Sequence, residues 1–318
     1  MITTKEIIMN KSVFPVMVCP YTDDNKIDLN AVDALVQWYH DCGCDGIFTA
    51  CLSTEIQHQT LEERVLITDR VVKKANEIAS NGGRKMTIVA SGHMADNFEE
   101  QVKEITSIHA TGVEAVILIS NRLDIANTGD ENWIAELKKL MDAIPEDVVL
   151  GVYECPYPYK RLLTDKMLEY IASTKRFAFI KDTCCDAEEM AKRVKILEGS
   201  GCGLYNANAQ TLLQSLRDGA AGYSGIMANF HPELYNWLCK NVDSPYADLV
   251  QSFFCMSAFT EYLAYPCTSK IYLNKNLGLP IKPYSRTKDY HLATKYHTDC
   301  IDQMEYLANH IKSIIGIK

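Results

Sequence analysis

The sequence predicts a closed (β/α)8 barrel, a TIM barrel, carrying a C-terminal extension of three helices. Three observations lead there. Short apolar runs alternate with longer amphipathic segments, and eight such units can be counted before the alternation stops at about Val242. Short buried strands separated by helices favour parallel, right-handed β-α-β connections. The stretch that carries them, residues 1–242, also matches the roughly 250 residues of such a barrel. A doubly wound open sheet is the competing arrangement, but no G-x-G-x-x-G follows the first strand.

The elements follow in order. The first strand is expected over Phe14–Cys19, and a helix from about Asp28 has Leu29, Val32, Leu35, Val36 and Tyr39 at helical spacing. Gly43 and Gly46 punctuate its end. A strand at Ile47–Ala50 precedes a helix from Leu61 to Ala79. Strands at Met86–Ala90 and Ala115–Ile119 flank a helix around Phe98–His109. Val148–Tyr153 and Phe177–Lys181 supply strands five and six, and the weaker runs Gly203–Asn206 and Gly222–Ile226 supply seven and eight. Helices begin near Ala187, Ala209 and Pro232. Residues 243–318 form the extension, with helices expected over Tyr246–Tyr265, Ser269–Leu277 and Thr287–Ile315.

Composition narrows the class. Apolar content of 47% and charge of 23% are those of an ordinary globular protein. A net charge of −9 argues against nucleic acid or an anionic membrane as a partner. Twelve cysteines are scattered without any C-x-x-C spacing, which points to reduced thiols in a cytoplasmic protein. Met1–Lys5 shows no signal-peptide apolar run, and no 18-residue apolar stretch follows.

Reactive side chains of such a barrel sit at the C-terminal ends of its strands. Strand six ends in Lys181, and strand five ends in Tyr153. Burial disfavours a charged amine, so a lysine at the end of an apolar strand titrates low and becomes a nucleophile toward a ketone. The plainer alternative is a lysine whose stem is buried while its head reaches water. A phenol on the neighbouring strand suits the proton transfers of imine chemistry.

Tyr153-x-x-Pro156, then Ile180-Lys181-Asp182-Thr183 with the lysine 28 residues after the tyrosine, resembles the dihydrodipicolinate synthase/N-acetylneuraminate lyase family of class I aldolases. The resemblance extends through Asp45-Gly46-Ile47, Ser53-Thr54-Glu55, Thr60–Arg64, Asp218–Gly225, Asn229 and Pro232-Glu233-Leu234. It implies an imine between Lys181 and pyruvate or another 2-keto acid, with Tyr153 relaying protons and Ser53 holding the carboxylate. By matching position, Thr54, Thr183, Ala207, Asn208 and Ser224 surround the substrates. It also implies no cofactor, no metal, an aldehyde as second substrate, and a homo-oligomer, usually a tetramer.

The departures from the family pattern are specific. Its Gly-(Ser/Thr)-Thr-Gly-Glu loop is here Cys51-Leu52-Ser53-Thr54-Glu55, and a threonine in place of glycine invites backbone strain. Pro158 stands where the synthases place an arginine, and Ser120 where they place a tyrosine borrowed from a neighbour. Ala209 and Gln210 replace the acidic pair of the sialic acid lyases. Asn208, Thr183, Asn121, Arg122 and Tyr157-Pro158-Tyr159 are left to recognise an aldehyde. A C–C lyase is therefore the leading reading. A keto-sugar-acid dehydratase using the same imine is the first alternative, followed by a true dihydrodipicolinate synthase and a non-catalytic keto-acid-binding barrel.

Overall fold

The structure is a computed structural model and describes residues 11–317, so the reading of Met1–Lys5 lies outside it. The chain alternates β1 (Ser12–Val13), α1 (Leu29–Asp41), β2 (Gly46–Thr49), α2 (Leu61–Ser80), β3 (Thr87–Ser91), α3 (Phe98–His109), β4 (Ala115–Ile119) and α4 (Asp130–Ala143). It continues through β5 (Leu150–Tyr153), α5 (Asp165–Thr174), β6 (Phe177–Asp182), α6 (Ala187–Leu197), β7 (Gly203–Asn206), α7 (Leu212–Arg217), β8 (Gly222–Tyr223) and α8 (Pro232–Lys240). All eight strands are parallel in the order β1-β8-β7-β6-β5-β4-β3-β2, and a bridge between Val16 and Phe48 closes the ring. This is the (β/α)8 barrel.

Local chemistry sets the helix starts. Asp28, Asn97, Thr164 and Asp186 each accept a backbone N–H from the first turn that follows, and Thr60 with Glu63 forms a reciprocal capping box. Two helices go beyond those expected above. Trp133, Leu137 and Leu140 bury one face of α4, and Met167, Leu168 and Ile171 bury that of α5, both at helical spacing. The first strand is shorter than Phe14–Cys19 and lies earlier. Pro15 has no N–H to donate, so beyond Val13 the chain runs beside β2 through isolated bonds. Strand eight stops at Tyr223, and a 3-10 turn takes over at Ile226.

The extension comprises α9 (Ala247–Ser257), α10 (Cys267–Lys275) and α11 (Lys295–Ile315). The last helix begins at Lys295 rather than Thr287, since Pro280 and Pro283 introduce an irregular segment that runs to Thr294. The buried apolar core continues from the barrel into Val250, Phe254, Ile301 and Met304.

Aromatic rings fill the barrel below the strand ends. Phe179 stacks on Tyr205 with centroids 4.2 Å apart, and Phe14 meets both edge-on at 5.2 and 5.1 Å. Glycines on neighbouring strands make the room. A Cβ at Gly46 would fall 2.2 Å from a Phe14 ring carbon, and one at Gly151 would fall 2.4 Å from Ile117 and 2.6 Å from the Phe179 carbonyl. Overpacking a rigid core costs about 1–3 kcal/mol. Gly151→Ala is therefore expected to lose about 2–3 kcal/mol in urea unfolding, because a backbone carbonyl cannot move aside as a side chain can. An unchanged midpoint would count against this account of the core.

Candidate active site

The ladder between β5 and β6 brings the amine and the phenol side by side. Leu150 pairs with Phe177 but Gly151 pairs with Phe179, so β6 carries one extra residue at Ala178. Such a bulge restores the alternation of faces beyond it. Tyr153 then pairs directly with Lys181, and both side chains enter the cavity at the strand ends. Lys181 Nζ lies 4.4 Å from the centre of the Tyr153 ring and 5.7 Å from that of Phe48. Lys181 is only 5% exposed, and burial lowers its pKa to about 8, with the Cys51 and Cys155 thiols opposing the shift. Burial pushes Tyr153 well above the ordinary phenol range, so it stands protonated at neutral pH.

The residues that follow each of these are charged and buried. Glu154 and Asp182 both meet Arg193 of α6, with Nη1 2.8 Å from Glu154 Oε1 and 2.6 Å from Asp182 Oδ2. The guanidinium is 2% exposed, and it also donates to Leu163 O and to Glu189. Glu154 accepts two backbone N–H groups, from Leu163 at 2.7 Å and Thr183 at 2.8 Å. Burial, and then Asp182 beside it, pushes the Glu154 carboxyl upward against the pull of Arg193. The strands carrying Tyr153 and Lys181 are thus joined by a charged clamp on the side away from the cavity.

The turn after β2 holds Ser53 toward the same cavity. Thr54 is wholly buried, and its hydroxyl donates to Met17 O at 2.7 Å, on the far side of the turn. The left-handed backbone falls at Ala50 (φ 44°) and Glu55 (φ 66°), so Thr54 occupies no position that requires glycine. The extension fixes this turn. Lys270 of α10 donates to Glu55 Oε1 at 2.9 Å, and both are fully buried. Ser285 Oγ and the backbone N–H groups of Arg286 and Thr287 donate to Glu55 Oε2.

The cavity measures about 430 Å³ and opens at the strand ends. Besides Lys181, Tyr153 and Ser53, it is lined by Thr183, Ala207 and Asn208 from the sequence reading. Thr183 Oγ1 donates to Glu154 O, and Asn208 is engaged with Gln210 and Thr211. Ser224 lies outside the cavity wall. It is completely buried, and its hydroxyl has no partner among the described residues. Asn121 is occupied in holding the carbonyls of Cys155, Tyr157 and Tyr159, and Arg122 pairs with Asp96. Neither reaches the cavity. Hollows of about 500 and 660 Å³ elsewhere contain no strand residue.

Several contributors are not anticipated by the sequence. Tyr265, Glu261 and Lys288 reach the cavity from the extension, and Lys160 from the loop after β5. No motif surrounds them. Arg193 did carry a signal, since it interrupts the apolar face of α6 between Met190 and Leu197. Among the described residues, no three His, Cys, Asp or Glu side chains gather as metal ligands, and no helix is long and apolar enough to cross a membrane.

Comparison with known proteins agrees with this geometry. Residues 9–287 match the model of the dihydrodipicolinate synthetase family. A 4-hydroxy-tetrahydrodipicolinate synthase of Thiobacillus denitrificans (strain ATCC 25259 / T1) is 24% identical over 266 residues, covering 84% of this chain and 83% of the relative. That of Clostridium novyi (strain NT) is 22% identical over 70% and 71%. Among solved structures, a monomeric dihydrodipicolinate synthase variant superposes with a TM-score of 0.82 at 16% identity, covering 95% of this chain and 98% of its own. The sialic acid aldolase of Ruminococcus gnavus superposes with a TM-score of 0.77 at 17% identity, covering 93% and 98%. These superpositions speak for the fold, and the family model, spanning barrel and part of the extension, speaks for descent. The chain belongs to the dihydrodipicolinate synthetase family and is an enzyme of the lyase class.

Proposed function

We propose that the protein makes or breaks a C–C bond between pyruvate, or a related 2-keto acid, and an aldehyde through an imine on Lys181. One observation carries this reading: a strand-borne amine, buried and lowered to about pH 8, opens into a cavity beside a protonated phenol. An unperturbed lysine, with a pKa of about 10.4, has well under ~0.1% free amine at neutral pH. A pKa of about 8 leaves roughly a tenth of Lys181 uncharged at pH 7.

The free amine attacks the keto carbon, water leaves, and the iminium draws electrons from the adjacent C–C or C–H bond. Tyr153 returns or removes the proton at the aldehyde oxygen. The cation that forms beside it favours the phenolate, opposing the effect of burial. Ser53 and neighbouring amides receive the keto acid's carboxylate. Thr183, Ala207 and Asn208 line the wall left for the aldehyde.

Borohydride reduction in the presence of pyruvate tests the nucleophile. Intact mass and peptide mapping are expected to place one adduct on Lys181, and Lys181→Ala is expected to show none. Absence of any adduct with pyruvate and a panel of 2-keto acids would sink the reading. Incubation with a 2-keto-3-deoxy sugar acid is expected to yield pyruvate and an aldehyde; a dehydrated keto acid would assign the imine to a dehydratase.

The pH dependence follows from the amine. Below its pKa the ammonium form cannot attack, so the rate of trapping is expected to rise about tenfold per pH unit and to level near pH 8. A rate still climbing through pH 10 would show an ordinary lysine.

A further inference from the structure

The cavity runs against the charge of the rest of the molecule. The chain carries a net charge of −9, yet three lysines line the cavity, Lys160, Lys181 and Lys288, against a single carboxylate, Glu261. Burial pushes the Glu261 carboxyl upward, which weakens that one opposing charge. A cleft walled mainly by one sign of charge gathers ligands of the other.

Two of these lysines take no part in the imine and have no partner. Most lysines among the described residues meet a carboxylate, as Lys270 meets Glu55 and Lys312 meets Glu233. The ammonium groups of Lys160 and Lys288 meet neither a carboxylate nor a carbonyl among those residues, and both face the cavity. Their backbones are nonetheless fixed. Tyr159 donates its hydroxyl to Asp124 O at 2.8 Å, and the buried Arg161 pairs with the Asp124 carboxylate. The Asn121 amide holds the carbonyls of Tyr157 and Tyr159. The loop after β5 is thus pinned to the loop after β4 on both sides of Lys160, the one side chain of residues 159–161 that lines the cavity. Across the mouth, the Lys288 N–H donates to Ser285 Oγ at 3.1 Å, and its carbonyl accepts from Cys267 Sγ at 3.7 Å. A lysine on a pinned backbone needs little further ordering to engage a ligand.

We propose that the second substrate is an anionic aldehyde, carrying a carboxylate or phosphate beyond its carbonyl, and that Lys160 binds this group while Lys288 adds to the positive field; this names a substrate class for the Schiff-base reading above and rests on it. The keto acid's own carboxylate is matched by the iminium that forms beside it, so the charge of Lys160 is left for the other substrate. Lys160 stands on the loop that leaves Tyr153, and the anion it binds therefore lies on the side of the phenol that serves the aldehyde oxygen. Hydrogen bonds from an ammonium to a carboxylate or phosphate are about twice as strong as neutral ones. A lysine is a compact charge without a fixed fork, so it accepts either anion. The neutral polar groups of the loop after β7 offer a polyol less, since Asn208 donates to Gln210 at 2.7 Å.

The test offers the protein pyruvate with each of three aldehydes: glyceraldehyde, its 3-phosphate and succinic semialdehyde. At least one charged aldehyde is expected to show a kcat/KM about 10- to 100-fold above that of glyceraldehyde, the range of a charged hydrogen bond, and the better of the two tells phosphate from carboxylate. This preference is expected to fall most of the way in Lys160→Gln, through KM, to persist in Lys160→Arg, and to vanish when Lys288→Gln is added. The preference compares two substrates on one protein, so a general loss of active enzyme cancels from it. A wild-type preference for glyceraldehyde, or a preference for the anion that survives the double substitution, would overturn the assignment. Weaker trapping of pyruvate itself in Lys160→Gln would place that ammonium at the keto acid and equally overturn it, as would a pyruvate adduct that condenses with none of the three aldehydes. A wild-type protein that forms no adduct at all overturns the Schiff-base reading instead.

Discussion

The site depends above all on Arg193. Side chains alternate along a strand, so the residues after Tyr153 and Lys181 point away from the cavity, toward the helix layer. Those residues are Glu154 and Asp182, both fully buried, and two carboxylates in one dry pocket are tolerable only with a cation between them. Arg193 is that cation. Removing one partner from such a group costs about 3–5 kcal/mol, because the remaining charge is stranded. The clamp therefore holds the ends of β5 and β6 in one relative position. The reacting side of the same strands gains a fixed spacing of amine and phenol, 4.4 Å from nitrogen to ring centre, from charges it never meets. Separating the charged clamp from the reactive face also lets Lys181 sit among rings and thiols, where burial can lower its pKa without a carboxylate to raise it again.

A second buried pair does for the turn carrying Ser53 what Arg193 does for the strands. Glu55 holds a left-handed backbone that costs a non-glycine residue roughly 1–3 kcal/mol. Its side chain offsets this by accepting from Lys270 and from two backbone amides of the 285–287 segment. The turn that carries Ser53 is thus built jointly by β2 and the extension. The turn dispenses with both glycines of the family pattern because neither Cys51, with φ −117°, nor Thr54 lies in the left-handed region, so no missing Cβ is required at either position. The extension also delivers Tyr265, Glu261 and Lys288, so it belongs to the cavity's wall as well as to the fold's exterior.

What the sequence made legible has a physical pattern. Parallel strands buried on both faces read as continuous apolar runs, so β4 and β6 stand out, and the lysine that ends one such run is conspicuous. Features that rest on contacts distant in sequence do not announce themselves. The extra residue at Ala178 leaves no local mark, yet it decides that Tyr153 faces Lys181. Lys270 reads as one more lysine on an amphipathic tail, although it is completely buried against a residue 215 positions earlier. Tyr265 belongs to no motif and acquires its place only when α10 packs against the barrel. Helices α4 and α5 are a different case, since Gly129 and Thr164 mark their starts and apolar spacing marks their faces. Arg193 was likewise readable as a charge on an apolar stripe, though its two partners were not.

The electrostatics of the cavity also bear on which substrate suits it. A permanent ammonium is disfavoured there, as the lowered Lys181 pKa records. An iminium is a cation too, so forming one with a neutral ketone would bury an uncompensated charge. A 2-keto acid avoids that cost because its carboxylate enters with the carbonyl, two bonds from the nitrogen that becomes positive. The pair forms together, and opposite charges at such separation stabilise each other most where the dielectric is low. The rings of Tyr153 and Phe48, within 6 Å of the nitrogen, favour the same cation from the other side. A simple ketone would offer the electrophile without the counter-charge. On the proposed Schiff-base reading, the cavity selects for the keto acid through the charge balance of the intermediate, in addition to any contact Ser53 makes in the ground state, and binding energy of that kind lowers the barrier rather than merely filling the site.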